Sequence, residues 1–244
     1  MGVMSQKPPL VSVVIPARNE GREIELCLRS LEGQSFQDFE VIVVDNGSTD
    51  ETEAIARRYG CRVIHEARPG VSFARQRGFE EARGELVVST DADTTLPPGW
   101  LELIVRSFEE SPDQVGVYGK IRLRERRGFG QWLAEFLFAA FLRLNHLLGK
   151  PHFCGPNFAV RREAFNRAGG FKDKDKENGR EGDRFYSVSE DLQLSLKLVR
   201  EGRIRFHKDL VVYTSPRKLQ GGSLRYMWEH TKNYWAVTWL GRSR

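Results

Sequence analysis

The 244-residue chain has little cysteine, and none of it is spaced for cross-linking or metal binding. Cys27, Cys61 and Cys154 are odd in number and form no C-x-x-C pair, which excludes a disulfide scaffold and a thiolate zinc site. They read as thiols of a reducing compartment. Long apolar runs are also missing. The nearest, Phe129 to Leu148, is interrupted by Gln131, Glu135, Arg143, Asn145 and His146, so no membrane-spanning helix is expected. No secretory leader is visible, because Pro8 and Pro9 lead straight into a strand-like segment. Ten prolines and 23 glycines without a period exclude collagen and low-complexity disorder. What remains is a chain with 40% hydrophobic residues, long enough to bury a core unaided.

Charge is present but unevenly divided. Residues 1–119 carry 12 basic and 20 acidic side chains, a net −8; residues 120–244 carry 26 and 13, a net +13. Such a split reads either as two halves with different work, the second meeting an anionic partner, or as solvated surface cations clustered in the second half.

The first half alternates two hydrophobic periods. Buried strands are expected at Leu10–Ile15, Phe39–Val44, Arg62–Ile64 and Glu85–Thr90. Helices are expected at Glu20–Leu31, Asp50–Tyr59 and Val71–Ala82. Alternation with short loops predicts an α/β fold: parallel βαβ units, with helices on both faces.

In such sheets ligands gather beyond the carboxyl ends of the strands. Those ends hold Pro16-Ala17-Arg18-Asn19-Glu20, then Asp45 to Asp50, then Asp91-Ala92-Asp93. Turn and cap preference accounts for Ser48, Thr49 and Asp50, the last as a helix cap, but less well for Asp45, Asp91 and Asp93. Residues i and i+2 of a strand share a side, so Asp91 and Asp93 are expected to face one cleft. Paired carboxylates suit Mg²⁺ or Mn²⁺, which complete their shells with water and phosphate.

The second half is less regular. A helix is expected at Trp100–Phe108, a strand at Val115–Leu123, and a helix at Gln131–Leu148 whose stripe of Leu133, Phe136, Leu137, Phe141, Leu144 and Leu148 reads as the core face. Phe138 and Leu142 form a second patch, either a further core contact or an interface helix beside the basic run Lys120–Arg127, which holds five cations and one acid. A short strand (158–160), a helix (161–168) and an exposed polar loop (172–184) precede a helix at 187–202, with Ser189 as its candidate cap. Glu190 and Asp191 sit in its first turn, where the helix dipole favours acids and where a general base would be rigidly held. His207, among Arg205 and Lys208, reads as an exposed strand histidine rather than a third metal ligand.

The stretches VSVVIPARNE (11–20), VIVVDNGSTDET (41–52), GVSFARQRGFEEARGELVVSTDAD (70–93), GPNFAVRREAFNRAGGF (155–171) and SEDLQLSLKLVREG (189–202) together resemble the family 2 glycosyltransferases. The resemblance implies a single GT-A, Rossmann-like domain over 10–215, with a mostly parallel sheet. Its nucleotide-binding half would be 10–119 and its acceptor half 120–215. Residues 1–9 would be an extension and 216–244 an aromatic, basic helical segment. It implies donor contacts by Pro16, Ala17, Arg18, Glu20, Asp45 (to the base), Arg75, Asp91 and Ala92. Asp93, with Asp91, would hold a divalent Mg²⁺ or Mn²⁺, and Asp191 would be the catalytic base of an inverting transfer, its carboxyl near the ordinary pKa of about 4. Asn157, Glu190 and Arg217 are candidates for the acceptor or the diphosphate.

Two departures shape these expectations. Gln76 follows Arg75 where the family usually has Asn, and no Q-x-x-R-W motif appears near Ser215–Gly222, which favours a single transfer over polymerisation. The expected partners are a UDP- or GDP-sugar and an acceptor hydroxyl, lipid-linked or close to a membrane. An anionic membrane surface is expected to meet residues 120–148 and 224–244, on the cytoplasmic side; nucleic acid is not expected. A non-catalytic nucleotide-binding or scaffold protein of the same fold is the alternative. A nucleotidyltransferase would need a glycine-rich basic loop where Pro16-Ala17-Arg18-Asn19-Glu20 stands.

Overall fold

The computed structural model describes residues 7–125, 128–171 and 190–219. The polar loop 172–184, Ser189, Arg126, Arg127 and the aromatic 224–244 segment lie outside the described residues.

Among the described residues eight strands form one sheet in the order β3-β2-β1-β4-β7-β6-β8-β5. They are β1 (Val11–Ala17), β2 (Phe39–Asp45), β3 (Arg62–His65), β4 (Leu86–Ser89), β5 (Thr94–Thr95), β6 (Gln114–Leu123), β7 (Phe158–Arg161) and β8 (Arg203–Thr214). The helices are α1 (Ile24–Glu32), α2 (Thr52–Arg58), α3 (Val71–Glu81), α4 (Trp100–Glu109), α5 (Gly128–Leu147), α6 (Arg162–Arg167) and α7 (Glu190–Leu198). Strands β3, β2, β1 and β4 run parallel, as the alternating periods predict. The second half makes the sheet mixed: β7 runs antiparallel between β4 and β6, while β8 is parallel to β6 and antiparallel to β5.

Every residue of β1 is buried, because helices cover both faces. On one side Val11, Val13 and Ile15 pack with α1, α2 and α4 around Trp100; on the other Val14, Ile42 and Val44 meet α3 around Phe79. The alternation of the strand thus feeds two cores at once. Cys27 and Cys154 are buried in them and all three thiols are free; burial pushes the Cys27 and Cys154 thiols up, out of the reactive range.

Helix α5 overturns its expected orientation. Leu133, Phe136, Leu137, Leu144 and Leu148, five of the six residues in the expected core stripe, are exposed. The face turned inward carries Gln131, Ala134, Leu142 and Asn145, with Phe138 and Phe141 packed against the core. Polar partners decide this orientation. Gln131 donates to the Glu125 carbonyl (2.9 Å) and to Glu135 (3.0 Å), and Glu135 also accepts from the Leu123 amide (3.1 Å). No helix among the described residues is long and apolar enough to cross a membrane.

Candidate functional site

The loops after β1 and β2 are laced together at the carboxyl edge of the sheet. Asn19, with a positive φ of 54°, accepts from the Thr49 amide (2.8 Å), and its own amide donates to Ser48 Oγ (3.0 Å). Asp50 accepts from the amides of Gly21 and Thr52, both at 3.0 Å. It therefore ties two loops together, and the formal cap of α2 is Glu51. Pro16 and Ala17 are buried in β1, while Arg18 stands exposed at its end.

Asp45 closes β2. Its Oδ2 accepts from the Ser48 amide (3.2 Å) and lies 3.7 Å from His65 Nδ1. Its buried Oδ1 has no hydrogen-bond partner among the described residues. A desolvated acceptor left open at a loop edge suits an incoming N–H, since burial makes the missing bond costly. Glu53 lies 3.5 Å from His65 Nε2, and Asp45, Glu53 and His65 form the one group of three possible metal ligands found among the described residues. Sequence reading missed Glu53 and His65; His65 ends β3, and the rule of reading strand ends stopped short of that strand.

Asp91, Ala92 and Asp93 lie beyond the end of β4 at Ser89, in a turn closed by the Thr94 amide donating to the Asp91 carbonyl (3.1 Å). Asp91 and Asp93 therefore do not share a strand face, contrary to the expectation of i and i+2 neighbours on a strand. Asp91 turns to Arg75 Nη2 at 2.9 Å, whereas buried Asp93 accepts from Thr214 Oγ1 at 3.2 Å. Arg124 donates to the Asp93 carbonyl (3.0 Å) and to Glu23 (2.7 Å); neither Arg124 nor Glu23 was singled out from the sequence. Arg217 pairs with Glu20, bringing the turn after β8 onto the β1 loop.

Arg75 is the buried centre of the site. It comes from α3 and donates to Asp91 and, through its other nitrogen, to Glu190 in the first turn of α7. Arg75 thus braces carboxylates from two parts of the chain, Asp91 after β4 and Glu190 at the start of α7. Gln76 is occupied similarly, accepting from the Phe171 amide at 2.7 Å. Asn157, the candidate for the acceptor or the diphosphate, is fully buried and engaged within the protein: its side chain donates to the Lys120 (2.8 Å) and Leu210 (3.0 Å) carbonyls and accepts from Trp100 Nε1 (3.0 Å). His207 accepts from the Asp209 amide at 3.3 Å and sits on β8, seven residues before the Thr214 that touches Asp93.

Asp191 is held at two points. Its Oδ2 accepts from the Gly155 amide (2.8 Å) and its Oδ1 from the Leu192 amide (2.9 Å). Burial pushes its pKa up to about 6, against the pull of Arg75 and both amides. The expectation of an ordinary carboxyl is thereby corrected: desolvation outweighs the hydrogen bonds, and the group is a stronger base that is still mostly ionised at neutral pH. Burial also pushes Glu190 up, with Arg75 opposing.

The family model described as Glycosyl transferase family 2 matches residues 12–169. The uncharacterized glycosyltransferase YibD of Escherichia coli is 37% identical over 109 residues, 42% of this chain and 32% of that protein. The undecaprenyl-phosphate 4-deoxy-4-formamido-L-arabinose transferase of Pseudomonas paraeruginosa is 38% identical over 127 residues, 48% of this chain and 37% of that protein. These matches thus span about a third of the relatives' length. Among solved structures, the mannosyltransferase PcManGT from Pyrobaculum calidifontis, in complex with GDP-Man and Mn²⁺, superposes with a TM-score of 0.65 at 25% identity, covering 86% of this chain and 57% of that one.

Proposed function

Because the chain belongs to glycosyl transferase family 2 and has its GT-A fold, we propose that it moves one sugar from a nucleoside diphosphate donor to an acceptor hydroxyl, with inversion. The observation that carries the proposal is the constellation around Arg75: one buried cation braces Asp91 at the donor edge and Glu190, whose neighbour Asp191 is fixed by the Gly155 amide.

In this reading the open Oδ1 of Asp45 receives an N–H of the base, and Pro16, Ala17, Arg18, Glu20 and Ala92 shape the nucleotide cleft. Asp93 and Asp91 would hold a divalent ion; two hard carboxylates fit Mg²⁺ or Mn²⁺, which take their other ligands from phosphate and water. When bound, such an ion neutralises charge on the departing diphosphate. Asp191 takes the proton of the acceptor hydroxyl as that oxygen bonds to the anomeric carbon. The carbon–oxygen bond to the diphosphate breaks on the opposite face and its electron pair leaves with the phosphate. An acceptor carried on a lipid phosphate is supported by the name of the Pseudomonas relative.

A thermal-shift panel of UDP- and GDP-sugars, with and without Mn²⁺, tests the donor. A ligand that binds only the folded chain raises its melting temperature, by roughly 3 kcal/mol of stability at a hundredfold excess over Kd. A shift that needs both nucleotide and metal is expected; no shift with any member of the panel would overturn the proposal.

A further inference from the structure

The outward face of α5 is apolar where a water-facing helix should be polar. Phe129, Trp132 and Phe136 are exposed by 74%, 56% and 57% and stack in a ladder, with ring centroids 5.6 and 5.7 Å apart. Leu133, Leu137, Leu144, Leu147 and Leu148 continue the same face. Buried Gln131 and Asn145 lie on the opposite side, so the amphipathicity is inverted.

We propose that this face docks on an anionic lipid bilayer, with α5 lying in the interface. The inference deepens the transferase reading above and rests on it only for the acceptor.

Charge selects this occupant. The one acid of α5, Glu135, is turned inward to Gln131 and the Leu123 amide, while its one full cation, Arg143, is exposed on the outer side. In sequence the run Lys120–Arg127 ends at the residue before the helix begins; with Arg124 taken by Glu23 and the Asp93 carbonyl, its other residues still sum to +3. A second copy of the same face would bring Arg143 to apolar surface with no acid to meet it. A phosphate-bearing surface supplies the missing anion while its acyl region takes up the aromatic ladder. Twenty residues make a helix about 30 Å long, which can lie along a surface. Its position is also useful: the chain leaving α5 reaches, within eight residues, the Gly155 whose amide holds Asp191. Docking there would bring a lipid-borne hydroxyl to the base.

The test is co-sedimentation of the full chain with phosphatidylcholine vesicles, with and without about one-third phosphatidylglycerol, for the natural sequence and for Phe129→Ser/Trp132→Ser/Phe136→Ser. Binding that requires the anionic lipid, weakens with salt and falls about tenfold or more in the variant is expected. The variant should keep the melting temperature of the natural chain. Failure to bind anionic vesicles at low salt overturns the inference. So does a variant that melts much lower, or a dimer in sedimentation velocity that the variant dissolves, since either means that protein covers this face. Nucleotide-dependent thermal shift is read in parallel without lipid: its presence alongside absent vesicle binding removes the docking alone, and its absence removes the transferase reading.

Discussion

Arg75 and Glu190 stand 115 residues apart in the sequence and form a buried ion pair that ties α3 to the first turn of α7. With its other nitrogen Arg75 holds Asp91, so donor edge and candidate base are built on one guanidinium. Arg75→Met leaves two buried or half-buried carboxylates facing each other without their cation. A loss of about 3–5 kcal/mol is expected in urea unfolding, the cost of stranding a buried charge. Arg75→Met/Glu190→Met should recover part of it, because the more deeply buried of the two stranded charges is gone while Asp91 remains. An Arg75→Met protein as stable as the natural one would show that the pair carries no structural weight.

Asp191→Asn keeps the shape and one acceptor oxygen for the Gly155 amide, gives up the second oxygen that accepts from the Leu192 amide, and cannot take a proton. Transfer should fall by about 10²–10⁴, the usual range for removing a general base. Nucleotide affinity should stay within a factor of about two, since the base touches the acceptor and not the nucleotide. Turnover near the natural level would move the base elsewhere.

The pKa of Asp191 fixes two pH profiles with opposite signs. For activity, the base must be ionised, so kcat/KM should fall with acid below about pH 6 while nucleotide affinity does not follow. For stability, a folded pKa of about 6 against an ordinary 3.8 means that the fold favours the protonated carboxyl. The folded state is therefore disfavoured in full above pH 6, and the penalty fades as pH falls towards 3.8. Asp191→Asn removes that penalty. Between pH 4 and pH 8 it should gain on the natural chain by on the order of 3 kcal/mol, at about 1.4 per pKa unit, set against a pH-independent loss of about 1 kcal/mol for the amide acceptor it gives up. A gain that does not change with pH would tie the effect to packing instead.

The four parallel strands and the helices between them were legible because each carries its own hydrophobic period, and β1, buried on both faces, reads as an unbroken apolar run. Asp45, Asp91 and Asp93 were legible as positions because they close or follow those strands, and Asp191 because it opens a helical period. Their partners were not. Arg75 meets Glu190, Arg124 meets Glu23, and His65 meets Glu53 only through the fold. Helix α5 misled because its apolar stripe was assigned to the core by convention. Its inward face is set instead by hydrogen bonds to the Glu125 carbonyl and the Leu123 amide, which no helical period records.

Asp45 offers a direct test of base recognition. Its buried Oδ1 awaits a donor, so Asp45→Ala should weaken UDP or GDP binding by about 1–3 kcal/mol, measured by calorimetry. The Ser48 amide would lose a partner but lies at the surface edge, where water can replace it. Folding should therefore be little affected. Equal affinity in the variant would remove Asp45 from the nucleotide cleft.

The β6–β8 ladder shifts register between Tyr118 and Lys120, and the break is closed by two residues acting together. At Gly119 a Cβ would run into the Leu210 carbonyl oxygen and come within 2.8 Å of Asn157 Nδ2, so no side chain fits. That same Nδ2 donates to the carbonyls of Lys120 and Leu210, groups near the shift that buried Asn157 satisfies. Gly119 completes the arrangement by donating its amide to the Asn157 carbonyl at 3.2 Å. Asn157→Ala removes one donor group from two carbonyls and the acceptor of Trp100, and should cost about 2–4 kcal/mol. Gly119→Ala should cost at least as much, because the nearest obstructing atom, the Leu210 carbonyl oxygen, is backbone. Since both substitutions break one unit, the double variant should lose clearly less than the sum of the two singles in urea unfolding. Strict additivity would mean that Asn157 and Gly119 stabilise the ladder independently.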